Sequence, residues 1–144
     1  MPKEIKKRNS FIVQFPHHYK IPTTVAYNVQ LPSWTVRVKD KHNEMDVDYS
    51  ISSDDWIWSS TIFELYDYID FSTSKTLVNI INNAQNINIE DTITVSILDN
   101  MGDVVETWEI YGTICNVYFG KYDWNSDKPI THKIYFKTNS VKII

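Results

Sequence analysis

Cysteine is nearly absent. Cys115 stands alone and cannot form an internal disulfide, whereas a disulfide scaffold of this size would carry pairs. The chain therefore reads as one that folds in a reducing cytoplasm. Glycine is scarce too. Gly102, Gly112 and Gly120 are too widely spaced to cradle a phosphate, so Asn, Asp and Ser take the turn positions. No apolar run approaches the 18 or so residues of a membrane-spanning helix, and no membrane anchor is expected. The N-terminal MPKEIKKRNS is basic, but no apolar stretch follows it as in a secretory signal. Its cations predict a solvated basic arm over residues 1–8. The net charge of −4 argues against a protein that grips nucleic acid from outside, which would neutralise phosphates with clustered Lys and Arg. It does not exclude one past which DNA slides. There is no fixed-period repeat and no low-complexity tract.

Aromatic and aliphatic residues are plentiful. With 42% hydrophobic residues, the 144-residue chain has the material for one core and reads as a single domain, 1–144. Residues 9–16 (NSFIVQFP) read as a first strand closed by a proline. TTVAYNVQLPSWTVRVKD (23–40) alternates in two registers around Pro32, which cannot donate to a ladder; the run is broken or bent there. Residues 39–55 form a long polar projection with Met45, Val47, Tyr49 and Ile51 on one face. WIWSSTIFELYDYIDF (56–71) is β-branched and aromatic, as a strand requires. A helix follows, capped by Ser72 or Ser74, with Leu77, Ile80 and Ile81 on one face and a stop at Asn82-Asn83. Thr92–Asp99, a turn over Asp99–Asp103, and Val104–Tyr111 make a hairpin. Residues 131–144 supply a last strand. The predicted fold is mainly β, an antiparallel β-sandwich or partly closed barrel with one flanking α-helix.

Catalytic signatures are missing. His17, His18, His42 and His132 have no helical ligand spacing and no cysteine pair beside them, so neither a metal nor another cofactor is expected. Asp54, Asp55, Glu64, Asp67 and Asp70 are the carboxylates available for hydrolysis, but no spacing supports a pair, and Asp54-Asp55 reads as the end of a turn. Cys115 has only His132 as a candidate base, and a buried packing thiol is the preferred reading. No G-x-S-x-G elbow is present. The chain reads as a non-enzyme. Trp56 and Trp58 share a strand face and, with Tyr66, could stack on bases or sugars. A core or a subunit interface fits the same pattern and is preferred in the absence of a basic face. A monomeric β-sandwich that binds a small ligand or glycan remains the alternative.

The stretch WEIYGTICNVYFGKYDWNSDKPITHKIYF (108–136) resembles the C-terminal region of tail tube proteins of contractile-tailed bacteriophages. The shared series is a strand ending at Gly112, a connection to Phe119, Gly120, the pair Asp123-Trp124, a small polar cluster and a final strand. Leu31-Pro32, Asp54-Asp55-Trp56 and the helix around Leu77–Ile81 extend the resemblance over most of residues 9–138. It implies subunits that join sheets edge to edge into homohexameric rings. The rings would stack into a tube that passes DNA without binding it specifically. It further implies tail sheath and baseplate proteins as partners, and a place in the virion tail after assembly in the host cytoplasm. The chain is somewhat shorter than that pattern, which leaves a baseplate or tube-initiating paralogue open. Within this frame, Lys39, Asp40, His42, Glu44, Asp46, Asp48, Asp54 and Asp55 are inter-subunit or inter-ring candidates on the projecting loop. Glu106 and Glu109 are candidates for the lumen, where acidic side chains would repel phosphate. Gly112 and Gly120 are expected to permit unusual backbone angles, and Asp123 and Trp124 to anchor the turn into the last strand.

Overall fold

The computed structural model describes residues 3–36, 56–84 and 90–144. In chain order the elements are β1 (Phe11–Gln14), a 3-10 turn (His17–Tyr19), β2 (Ala26–Gln30), β3 (Trp34–Val36), β4 (Trp56–Trp58), β5 (Thr61–Tyr66), α1 (Thr73–Ala84), β6 (Asp91–Leu98), β7 (Val104–Tyr118) and β8 (Thr131–Ile143). Six strands form one antiparallel sheet in the order β1-β6-β7-β8-β5-β2, curled into a nearly closed barrel. β3 and β4 form a separate two-stranded sheet. The mainly β architecture with one helix is the one expected from the sequence.

Alternation decides which residues enter the barrel. Phe63 and Leu65 of β5, Ile93 and Val95 of β6, Ile110 of β7, and Ile134 and Phe136 of β8 are fully buried, while their neighbours point the other way. Val13 of β1 faces Val95 across the ladder. Phe15, Phe63 and Phe136 meet edge to face inside. Two buried hydroxyls, Thr61 and Thr138, satisfy each other at 2.7 Å. Tyr19 is buried by the 3-10 turn and hydrogen-bonds the Asp91 carboxylate; burial, with that carboxylate beside it, pushes its hydroxyl pKa up.

The run breaks at Pro32 as expected: Pro32, itself buried, separates β2 from β3, and β3 leaves the main sheet altogether. Three local expectations are corrected. The aromatic run after residue 56 is two strands, β4 and β5, in different sheets. The helix runs to Ala84, within a residue of the expected stop at Asn82-Asn83, but its faces differ from the expectation. Its buried side is Thr73 and Leu77 with Ile80 packed against the core, while Ile81 faces solvent. Finally, Gly112 does not end a strand. β7 continues to Tyr118, with ladder irregularities at Tyr111/Gly112 and Ile114/Asn116.

Candidate assembly surface

The first surface is a pair of strand edges. β1 and β2 close the sheet order at either end, and neither has a second ladder partner among the described residues. Such edges present rows of unpaired backbone donors and acceptors. A groove of about 700 Å³ lies between them. Phe11, Val29, Leu31, Ile97 and Trp108 give it apolar walls, and Lys6, Lys7 and Arg8 rim it. The basic arm is exposed over residues 3–8, and two surface contacts tether it. Lys6 pairs with Glu106 at 2.7 Å, and the Glu4 carboxylate accepts the Asn100 amide, tying the arm to the β6–β7 turn. Lys6 is also the largest cause that holds the Glu106 carboxyl below its ordinary pKa, ahead of the Trp108 indole donor.

The second surface is the β7–β8 ribbon. β6 stops pairing at Gly112 and β5 stops at Phe136. The far edge of β7 beyond Gly112 and that of β8 beyond Phe136 therefore have no ladder partner among the described residues. Both ends of the ribbon expose apolar side chains. Ile5, Met101, Val104, Val105, Ile143 and Ile144 cluster at the end with the β6–β7 turn. Tyr118, Phe119, Tyr122 and Trp124 cluster at the end with the β7–β8 loop.

That loop is built around Asp123, whose side chain accepts the Asn125 amide at 3.0 Å and whose carbonyl accepts the Ser126 amide at 3.1 Å. Asp123 thus shapes the turn. Trp124 anchors nothing within the chain: its relative exposure is 104%. Gly112 and Gly120 do not adopt unusual angles either; Gly102, in the β6–β7 turn, is the glycine with positive φ, at 86°. A Cβ on Gly112 would lie 1.8 Å from the Lys137 carbonyl oxygen, and one on Gly120 2.2 Å from that of Thr131. Both glycines serve close backbone approach.

The loop is held by a buried polar relay. The Gly120 amide donates to His132 Nδ1 at 3.0 Å. Nδ1 is therefore unprotonated, the proton sits on Nε2, and Nε2 donates to Asp67 Oδ2 at 2.9 Å. Asp67 also accepts the amides of Thr73 and Ser74, the first turn of α1. Burial raises the Asp67 pKa, but the donors His132, Thr73 and Ser74 outweigh burial and hold the carboxyl below its ordinary value.

Glu106 and Glu109 stand on opposite faces of β7, three residues apart with no irregularity between them, so one lumen can receive only one of them. Glu106 shares the side of Trp108 and Ile110. Glu109 lies on the outer face, bonded by the Tyr111 hydroxyl and paired in register with Lys142. The outer face also carries Lys133, Lys137 and Glu64, with Lys133 and Glu64 3.3 Å apart. It is polar and mixed in charge, not acidic.

Lys39, Asp40, His42, Glu44, Asp46, Asp48, Asp54 and Asp55, with the whole projecting loop 39–55, lie outside the described residues. Cys115 is exposed, not buried, because the β7 irregularity turns it outward; its thiol donates to the Tyr135 carbonyl, and His132 is engaged elsewhere. Glu64 and Asp67 serve Tyr27, Lys133, His132 and α1 rather than one another. Tyr66 stacks on Tyr27 with ring centroids 4.0 Å apart. No cluster of metal-ligating side chains occurs among the described residues.

No protein-family model matches the sequence, and no curated protein matches it. Solved structures do match in fold. A chain of the anti-feeding prophage baseplate, whose structure is 6-fold symmetrised, aligns with TM-score 0.68 and 12% identity over 100% of this chain and 97% of its own length. A chain of an extracellular contractile injection system's PVC sheath-tube complex, in the extended state, aligns with TM-score 0.67 and 16% identity over 97% and 91%. One from the PVC sheath/tube terminator aligns with TM-score 0.70 and 14% identity over 100% and 99%. This chain has the fold of components of contractile injection particles.

Proposed function

We propose that this protein is a structural subunit of the tube of a contractile tail or injection particle. In this reading six copies join their sheets edge to edge into a ring, and rings stack around a channel. The observation that carries the proposal is the end-to-end likeness to chains of a baseplate and a sheath–tube complex, with almost nothing left over on either side. The unpaired ladder edges support it, since a ring turns such edges from an aggregation hazard into a closed interface. The sheath and baseplate are its further partners, and the tail of the assembled particle is its location. The polar face with Glu109 lines the channel, where mixed charge lets cargo such as DNA pass without a specific hold.

A second reading is favoured by one observation: the likeness to a chain of the sheath/tube terminator is as good as that to a chain of the sheath-tube complex. In it the chain caps or initiates a tube as a single ring. Negative-stain microscopy of concentrated protein tests both. Tubes support the first reading and rings that do not extend support the second. A monodisperse monomer overturns both.

A further inference from the structure

Trp124 and the groove between β1 and β2 are unexplained features of one molecule, and the basic rim of the groove and Trp124 lie toward different ends of β7. The cationic rim of the groove lies beside the β6–β7 turn, and its wall includes Trp108 near the start of β7. Trp124 follows the far end of β7 at Tyr118. Strand between Trp108 and Tyr118 spans about 30 Å at the usual rise per residue. The indole is fully exposed and does not line the groove of its own chain.

The two features match in chemistry. The groove has apolar walls, from Phe11, Val29, Leu31 and Trp108, and space of about 700 Å³, more than one side chain needs. Lys7 and Arg8 on its rim have no carboxylate partner among the described residues, and a guanidinium or ammonium is attracted to an indole face. Trp124 is fully exposed in a loop whose Asp123 and Asp127 are balanced by Lys121 and Lys128, so the indole itself is what the loop offers to a cationic, apolar site. An aromatic side chain filling a concave apolar site is the usual anchor of a protein interface.

We infer that Trp124 of one copy seats in the β1–β2 groove of the next copy along the particle axis. A knob on one surface and its hole on another make a head-to-tail contact, which propagates instead of closing. The inference rests on the tube reading above and assigns its axial contact.

The full-length chain tests it. Trp124→Ala removes no contact within the chain, so the fold stays, and the association of one ring with the next is expected to weaken about 30-fold while single rings persist. Trp124→Phe should restore most of the stacking. Stacks of wild-type length from Trp124→Ala overturn the inference and leave the tube reading standing. A second variant places Arg8→Cys and Trp124→Cys in a Cys115→Ser background. Under mild oxidation it should give a covalent ladder that extends beyond one ring. Cross-links confined to single rings, or none in particles that still stack, overturn the assignment. Failure of the wild-type chain to form rings overturns the tube reading, and this contact with it.

Discussion

Asp67 Oδ2 lies 2.9 Å from His132 Nε2, and through this contact the first turn of α1, the end of β5, the start of β8 and the β7–β8 loop share one carboxylate. Asp67 accepts three donors and is largely buried. Asp67→Ala strands all of them. We expect a loss of about 3 kcal/mol, from one charge-assisted bond and one helix cap, read as a shift in the urea midpoint with unchanged slope. A change below about 0.5 kcal/mol would show that the relay does not stabilise the fold.

The same carboxylate sets an acid limit. Its pKa in the folded protein lies below the ordinary 3.8, so the ionised form favours the native state. That stabilisation is complete above the unfolded value and disappears as pH falls through the lower folded value. Urea midpoints of wild type and Asp67→Asn should therefore differ at pH 7 and converge toward pH 2. A gap independent of pH would contradict the assignment.

The glycines separate two physical costs. Gly112→Ala drives a methyl group into the Lys137 carbonyl, which is backbone and cannot swing aside, and should cost on the order of 4 kcal/mol. At Gly102 there is open space but positive φ, and Gly102→Ala should cost about 1 kcal/mol. Thermal unfolding of the two variants gives the order; equal costs would mean that β7 yields at Gly112.

Cys115 reports on the open half of β7. It is exposed in the single chain, so a maleimide should label it without denaturant. If neighbours pair along this edge, labelling should slow at least tenfold in assembled rings. Equal rates in both states would place the inter-subunit edge elsewhere.

Local chemistry made part of this legible in the sequence. The β6–β7 turn was, because Asp99 bonds the amides of Met101 and Asp103 and Gly102 supplies the positive φ, all within five residues. Strand faces followed from alternation, and the break at Pro32 followed from its missing donor. The helix is legible from Leu77 and Ile80, but the outward turn of Ile81 is set by what packs against α1, not by spacing. What depended on distant partners stayed hidden. Gly112 looks like a terminator until Lys137 is seen against it. Asp67 and His132 are 65 residues apart, and nothing near either announces the other. Trp124 stands where the resemblance places an anchor, but its exposure is decided by what packs around the loop.

The irregularities at Tyr111/Gly112 and Ile114/Asn116 have one more effect. An extra residue on one side of a ladder bends that strand and tightens its local twist. In the proposed ring, a copy joined to its neighbours through β7 and β8 would therefore meet them along a bent edge instead of a flat one, and each junction would turn the row by a fixed angle.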